Sequence, residues 1–227
     1  MLIVIENLLS AGEVANFRTR LAAGHWQNGA GTAGSRSAAV KQNLQLPRTD
    51  TAAQELGERI LTKLGNHPEF ISASLAEKIW PPVFNLYQNG GHYGTHSDAA
   101  LMRLPEAGLT LRSDLSATIF LSDPASYEGG ELLIEESYGA QAVKLPAGDM
   151  VLYPSSSLHQ VAPVTSGQRI CAITWMQSAV ASTEARALLY DLDQSIRALS
   201  PARDADDPDI NRLVHVYHNL VRRWAKP

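Results

Sequence analysis

The sequence contains one cysteine, Cys171, among 227 residues. A single thiol cannot form an intrachain disulfide or a thiolate metal cluster, so a metal ion would have to be bound through nitrogen and oxygen atoms. Long hydrophobic runs are also missing. The apolar residues 2–5 are followed by Glu6 and have no basic segment before them, which argues against a signal peptide and a membrane span. Together these absences predict a cytoplasmic protein in a reducing compartment.

A strong charge of either sign is absent as well. The formal net charge is −4 and the isoelectric point is about 6.0, so we expect no nucleic-acid partner. Apolar residues make up 44% of the chain and charged residues 19%. This is the composition of an ordinary globular protein, and the chain is long enough to bury a sizeable core.

The pattern of apolar residues divides the chain into three predicted regions. Residues 1–75 contain an opening strand and two helices, the first of which begins with a capping box of Ser10 and Glu13. Residues 76–178 contain short β-rich runs separated by Gly, Pro, Asn and Asp, which is typical of a sandwich or barrel. Residues 179–227 are helical again. The sequence therefore predicts a mainly β protein with flanking helices, in which the first region packs on a β core.

The two C-terminal helices each have one apolar face. The first follows the possible caps Ser182 and Thr183, and the second begins at Asp207 with Pro208 at its first helical position. Three arrangements would bury these faces: packing on the barrel, an appended helical unit, or a homodimer formed through the helices. The sequence does not choose among them.

One histidine and one carboxylate stand two residues apart, at His96 and Asp98. On a β-strand such residues project from the same face and can bind one metal ion. This spacing is common by chance and needs a third ligand, for which His159 after an apolar run is the best candidate. Two histidines and one carboxylate with open positions form the facial triad of non-haem Fe(II) oxygenases.

Arg169 opens a predicted strand ten residues after His159. Alternation places Arg169, Cys171, Ile173 and Trp175 on one face of that strand, with the guanidinium at the end of an otherwise apolar inward row. A buried arginine needs an anion. A dicarboxylate co-substrate would supply one, bound through two parallel hydrogen bonds that a lysine does not reproduce.

Four further segments, between Trp80 and Gln177, resemble those of the Fe(II)/2-oxoglutarate-dependent dioxygenases. The chain is most similar to the bacterial PKHD-type hydroxylases of the prolyl and lysyl hydroxylase branch, and it shares their C-terminal helical tail. The matching segments are 87–98 (YQNGGHYGTHSD), 117–121 (ATIFL), 127–132 (YEGGEL) and 146–154 (PAGDMVLYP).

The resemblance implies a double-stranded β-helix, or jelly-roll, over residues 76–178. It implies that His96, Asp98 and His159 bind Fe(II) and that Arg169 binds the distal carboxylate of 2-oxoglutarate. It also implies a dioxygenase that consumes O2 and 2-oxoglutarate, releases succinate and CO2 and hydroxylates a C–H bond, with ascorbate as a secondary requirement. Tyr87 matches a position whose hydroxyl approaches 2-oxoglutarate, and a core tyrosine is an equally good interpretation.

The substrate is not visible in the sequence. Relatives in this branch act on peptidyl proline or lysine, and bacterial relatives are associated with iron uptake, so a peptidyl or a small-molecule substrate stays open. Residues 99–114 are predicted to be a loop that shapes selectivity. The competing functions are a non-catalytic cupin-like metal or ligand-binding protein, which would not need Arg169, and an interaction module built on the C-terminal helices. We interpret His92 as a rim residue, Tyr93 as structural or substrate-facing, and Arg112 with Asp114 as a surface salt bridge.

Overall fold

Two main sheets and six α-helices make up the computed structural model, which describes residues 1–32, 35–105, 108–136 and 139–226. The helices are α1 Ala11–Ala22, α2 Ser35–Ala38, α3 Thr51–Asn66, α4 Pro68–Ser74, α5 Thr183–Leu199 and α6 Pro208–Trp224. The strands are β1 Ile3–Ile5, β2 Gln27–Asn28, β3 Lys41–Gln42, β4 Leu44–Gln45, β5 Ala76–Ile79, β6 Val83–Tyr87, β7 His92–His96, β8 Leu101–Leu104, β9 Leu109–Arg112, β10 Leu115–Phe120, β11 Tyr127–Gly129, β12 Leu132–Glu136, β13 Gly139–Val143, β14 Met150–Pro154, β15 His159–Val161, β16 Val164–Gly167 and β17 Arg169–Ser178.

The chain alternates between the two sheets. The larger has the order β1-β14-β10-β17-β6-β4-β2, with β5 also paired to β17, and the smaller has the order β13-β12-β15-β7-β3. From β6 onward the path runs to β7 in the smaller sheet, back to β10, across to β12 and β13, and then through β14, β15 and β17. The pairs are antiparallel. This path is that of a jelly-roll, so the predicted fold class is confirmed.

Two hydrophobic layers lie on opposite sides of the larger sheet. One layer lies between the sheets and includes Phe120, Cys171 and Ile134. The other lies between the larger sheet and α1, α3 and α4, and includes Phe17 and Ile60. Because inward and outward positions alternate along β10, Leu115, Ala117 and Ile119 contact the helices. The opposite face of β10 is left for the space between the sheets.

The N-terminal region supplies strands as well as helices. β1 extends the larger sheet beside β14, β4 pairs with β6, and β3 pairs with β7 in the smaller sheet. The predicted capping box is present at α1, where Ser10 and Glu13 each accept a hydrogen bond from the other's backbone N–H. Lys41 is therefore part of the smaller sheet, at its β3 edge. The division of the chain at residues 75 and 178 stays a prediction.

The C-terminal helices pack on the helical side of the molecule. Ser182 caps α5, and Asp207 caps α6 with Pro208 in the first turn, as predicted. Leu189 of α5 is buried in a cluster with residues of α6 and with Leu75, which follows α4. This arrangement corresponds to packing on the rest of the chain through α4. No helix within the described residues is long and apolar enough to cross a bilayer.

Residues 99–114 contain a hairpin where we predicted a loop. Strands β8 and β9 pair from Leu101 with Arg112 to Leu104 with Leu109. Leu104 and Leu111 are buried in a cluster with Trp80 and Val83. The prediction of a loop was wrong because this segment has few apolar residues of its own. Leu104 and Leu111 pack on Trp80 and Val83, and that cluster forms only in the folded chain. Residues 106–107 at the turn lie outside the described residues.

Candidate active site

His96, Asp98 and His159 lie together at adjacent strand ends. His96 ends β7, His159 begins β15, and the two residues are cross-strand partners. One potential ligand atom from each of the three residues lies within 4.8 Å of the others. The two imidazole rings are 4.3 Å apart between centroids, and Asp98 Oδ2 is 3.8 Å from His159 Nε2. The structure thus brings together the three residues that spacing and resemblance selected.

The position of Asp98 beside the two histidines has a different structural cause from the one that the sequence predicted. Strand β7 ends at His96, so the two residues are not successive same-face positions of one strand. Asp98 Oδ2 instead accepts a hydrogen bond of 2.6 Å from Ser116 Oγ, which also lies 2.7 Å from Ser155 Oγ. Ser116 therefore holds the carboxylate from strand β10 of the larger sheet, as residues that orient metal ligands commonly do.

Hydrogen bonds orient both imidazoles in the same way. His96 Nδ1 lies 2.8 Å from the Gly94 carbonyl oxygen, and His159 Nδ1 lies 3.0 Å from the Ser157 carbonyl oxygen. A carbonyl only accepts, so Nδ1 carries a proton in each ring, and in the neutral imidazole Nε2 is the atom that can bind a metal ion. Burial, with the nearby His159, lowers the pKa of His96 well below its ordinary value. Neutral imidazoles with free Nε2 atoms are suited to binding a divalent metal ion.

A β-bulge places Tyr93 beside His96. The partners of His96 and Tyr93 are His159 and Val161, so β7 uses three steps where β15 uses two. The extra residue brings Tyr93 and His96 to the same face, although simple alternation separates them. Their rings stack with centroids 3.6 Å apart. Tyr93 therefore lines the cavity and supports the His96 ring.

Arg169 is 1% exposed and stands at the inner end of the cavity. Its guanidinium carbon is 5.2 Å from the ring centroid of Tyr87 and 5.3 Å from that of Phe120. Nη1 donates to Cys171 Sγ at 3.0 Å, while Nε is buried without a hydrogen-bond partner. An unsatisfied buried guanidinium N–H is costly, and a bound carboxylate would supply the missing acceptor.

A second buried polar atom without a partner is the hydroxyl of Tyr127. Burial raises the pKa of Tyr127, so the hydroxyl keeps its proton and can donate. A Cβ atom on Gly130 would stand 3.0 Å from both Arg169 Cδ and Tyr127 Cε2, so these side chains flank this glycine. Gly129 and Gly130 both have positive φ, at 71° and 69°, which agrees with their interpretation as a turn into a strand.

The cavity has a volume of about 450 Å³ and opens between the two sheets. The predicted inward row of Arg169, Cys171, Ile173 and Trp175 lines it, as does Tyr87. Burial raises the pKa of Tyr87, so its hydroxyl stays protonated. Tyr87 is nearly fully buried in the core between the sheets, so the structure is consistent with both interpretations of this residue.

Ser116 and Lys41 are two of the cavity residues that the sequence argument missed. Ser116 alternates with apolar positions on β10, so the small polar residues Ser116 and Thr118 on one face were an available signal. Lys41 carried no such signal, because it reaches the cavity only through the pairing of β3 with β7. Burial lowers the pKa of Lys41 to about 8, and the nearby Asp98 carboxylate opposes this change.

The remaining candidates lie outside the cavity lining. His92 Nδ1 lies 3.0 Å from the Gly90 carbonyl oxygen and does not join the other two histidines. Arg112 forms a two-point ion pair with Asp114 at 2.7 and 2.8 Å, which confirms the predicted pairing. The pair is not fully on the surface as predicted, because the Asp114 side chain is largely buried. Asp114 also accepts from the Ser178 backbone N–H, so this pair ties the start of β10 to the end of β17.

Family models match both the β core and the C-terminal helices. Residues 82–177 match a model described as the 2OG-Fe(II) oxygenase superfamily, and residues 184–226 match one described as the PKHD-type hydroxylase C-terminal domain. Solved structures with a similar fold include a Pseudomonas putida prolyl-4-hydroxylase, with TM-score 0.54 and 20% identity over 78% of this chain and 92% of that one. Another is HygX from Streptomyces hygroscopicus with nickel and 2-oxoglutarate bound, with TM-score 0.56 and 14% identity over 78% and 82%.

Relatives match over the full length of the chain. A PKHD-type hydroxylase of Teredinibacter turnerae is 60% identical over 226 residues, and one of Acidovorax ebreus is 52% identical over 227 residues. Both alignments cover 100% of each chain. Nothing in these comparisons supports a non-catalytic cupin-like protein. The chain therefore belongs to the PKHD-type hydroxylases within the 2OG-Fe(II) oxygenase superfamily, and it is a dioxygenase enzyme.

Proposed function

We propose that this enzyme is an Fe(II)- and 2-oxoglutarate-dependent hydroxylase in which His96, Asp98 and His159 bind the iron. The main support for this proposal is that these three side chains lie together in the cavity that Arg169 also lines. Two imidazoles and one carboxylate leave coordination positions open, unlike the closed tetrahedral set of a structural zinc site. Bound Fe(II), with 2-oxoglutarate and O2, would supply the oxidising chemistry for hydroxylating a C–H bond.

Arg169 is proposed to bind the distal carboxylate of 2-oxoglutarate. Its Nε is buried without a hydrogen-bond partner, and the unpartnered hydroxyl of Tyr127 belongs to a side chain that flanks Gly130 together with Arg169. Phe120 and Tyr87 flank the guanidinium with aromatic rings, so the ion pair would form away from water, where it is strong. Tyr87 lies close enough to take part, and we assign it to the co-substrate site on this basis.

The substrate of the enzyme is proposed to be a peptidyl prolyl or lysyl residue or a small molecule, with a connection to iron uptake. Ascorbate is proposed to sustain turnover by reducing oxidised iron. A cytoplasmic location is consistent with the single buried thiol, Cys171.

The C-terminal helices are proposed to form a homodimer. Leu188 and Leu199 of α5 are exposed and could be buried in such an interface. Measuring the molecular mass in solution tests it.

The decisive experiment couples two measurements on the iron-loaded protein. Consumption of 2-oxoglutarate and of O2 should proceed together in the wild type and vanish in His96→Ala and Asp98→Ala. Both variants should also lose Mn(II) binding, measured by calorimetry. The matched control is His25→Ala, because His25 is exposed and outside the cavity lining. Retained turnover in either site variant would overturn the assignment of the ligands.

A further inference from the structure

We propose that the outer end of the cavity, at Trp80 and Trp175, binds the carboxylate of a small organic acid with an apolar body, and that this acid is the substrate. The inference rests on the proposed function and goes beyond it by naming a substrate class. It is carried by the position of cationic side chains against an apolar wall, on the far side of the cavity from Arg169.

The two ends of the cavity are defined by one strand. Arg169 and Trp175 are on the same face of β17, six residues apart, which corresponds to about 20 Å along an extended strand. Trp80 lies beside Trp175, because its backbone N–H donates to the Trp175 carbonyl at 2.8 Å. The wall at this end is apolar and contains Met102 and Leu104 of the β8–β9 hairpin. A ligand bound here would be separate from one held by Arg169.

One short segment of the chain, residues 41–48, lines the cavity with cationic side chains from the proposed iron site to this apolar wall. The guanidinium carbon of Arg48 is 4.6 Å from the ring centroid of Trp80. Lys41 Nζ is 5.3 Å from the ring centroid of Tyr93 and donates to Gln45 Oε1 at 3.5 Å. Lys41, Gln45 and Arg48 all line the cavity. Their cationic and amide groups can donate hydrogen bonds to a carboxylate.

The charge of the lining favours an anionic ligand. Asp98 is the one carboxylate among the described lining residues, whereas Lys41, Arg48, Arg103 and Arg169 are cationic. With Fe(II) and 2-oxoglutarate bound, the charges of the metal, Asp98, the co-substrate and Arg169 balance one another. Arg48 stacks on Trp80 and Arg103 belongs to the β8–β9 hairpin, so both cations lie toward the outer end. Their positive charges favour an anion there over a cation such as a lysyl ammonium group.

The size and polarity of the site restrict the chemical class of the proposed substrate further. A volume of about 450 Å³ is within the range of small-molecule sites, and 2-oxoglutarate must share it. The aromatic and aliphatic wall would bury an apolar body, while polyanions would leave it unused. A compact acid with one apolar portion matches both the cations and the wall.

Binding of two matched probes tests the proposal. The protein is loaded anaerobically with Mn(II) and saturating 2-oxoglutarate, and binding of the co-substrate is measured first. Binding of 4-phenylbutyrate and of its neutral amide, 4-phenylbutyramide, is then measured by calorimetry and by tryptophan fluorescence. We expect the carboxylate to bind about tenfold more tightly than the amide. We expect this preference to disappear in Arg48→Gln and Lys41→Gln, and to be largely kept in Arg48→Lys.

Lys78→Gln is the matched control, because Lys78 is exposed on β5 and outside the cavity lining; its preference should equal that of the wild type. Equal affinity for the two probes in the wild type, or no binding of either at millimolar concentration, overturns the proposal. So does an unchanged preference in both Gln variants. If 2-oxoglutarate itself does not bind, the proposed function fails and the inference falls with it. If it binds and the probes do not discriminate, only the inference fails.

Discussion

Ser116 Oγ donates a hydrogen bond of 2.6 Å to Asp98 Oδ2 and thereby fixes the one carboxylate of the proposed iron site. Removing such a support commonly lowers metal affinity 10–100-fold. We therefore expect Ser116→Ala to bind Mn(II) about 10- to 100-fold more weakly by calorimetry while its circular dichroism spectrum stays unchanged. Ser195→Ala, at an exposed position of α5, is the control. Unchanged metal affinity in Ser116→Ala would show that Asp98 does not need this support.

Replacing Arg169 with lysine keeps the charge and removes the fork of N–H donors. We expect Arg169→Lys to bind 2-oxoglutarate roughly 10- to 100-fold more weakly, from the loss of a charge-assisted hydrogen bond, with nearly unchanged Mn(II) affinity. Titration with 2-oxoglutarate in the presence of Mn(II) measures the effect. Arg197→Lys changes an exposed ion pair with Asp193 and should leave both affinities as they are. Equal co-substrate affinity in Arg169→Lys would contradict the assigned anchor.

Gly130 has no room for a side chain beside the anchor. A Cβ atom there would be 2.8 Å from Val164 Cγ2 and 3.0 Å from Arg169 Cδ, and φ is +69°. We expect Gly130→Ala to lower the free energy of unfolding by about 1–2 kcal/mol and to weaken 2-oxoglutarate binding more than Mn(II) binding. Gly12→Ala, in α1 with open space around it, should be neutral or slightly stabilising. Denaturant titrations and calorimetry check both. Normal 2-oxoglutarate affinity in Gly130→Ala would mean that Arg169 tolerates the displacement.

Glu13 makes stability depend on pH at the start of α1. Its hydrogen bonds with Lys63 and with Ser10 lower the pKa of Glu13 from 4.5 to about 2. Because the folded-state pKa is depressed, the stabilisation is fully present above about pH 4.5 and is lost as the pH falls through about 2. The side chain is partly exposed, so we expect Glu13→Gln to cost only about 0.5 kcal/mol at pH 7.

Urea titrations of Glu13→Gln and the wild type across the acid range measure this difference. It should stay constant above about pH 5 and shrink below it, and high salt should reduce it. The side-chain amide in Glu13→Gln still offers an acceptor to the Ser10 N–H, so the comparison isolates the charge. A difference that persists at pH 2 would show that the capping geometry, and not the ion pair with Lys63, is responsible.

Local patterns were sufficient for the long core strands, the helix caps and the row of inward side chains from Arg169 to Trp175. The alternation from Arg169 to Trp175 was readable because β17 is long and regular, and its inward face lines the cavity as predicted. The capping box of Ser10 and Glu13 involves residues three apart, so no distant contact was needed. Ser116 could have been found in the same way, since it interrupts the apolar pattern of β10 on one face only.

Features that depend on pairing between distant strands were not predictable. Tyr93 shares a face with His96 only because the chain takes three residue steps from Tyr93 to His96 where β15 takes two from Val161 to His159, which the sequence of β7 alone does not reveal. Lys41 reaches the cavity because β3 pairs with β7, about fifty residues later. The β8–β9 hairpin anchors on Trp80 and Val83, whose position is set by the rest of the sheet.

Strand β17 also limits how this enzyme can change. Its continuous backbone connects the proposed co-substrate anchor, Arg169, with Trp175 at the proposed substrate end. Inserting or deleting one residue between them would turn every later side chain to the opposite face. The distance between the proposed sites for 2-oxoglutarate and for the substrate is therefore fixed by the length of β17. New substrate preferences would have to arise from exchanges of side chains on residues 41–48 and on the β8–β9 hairpin.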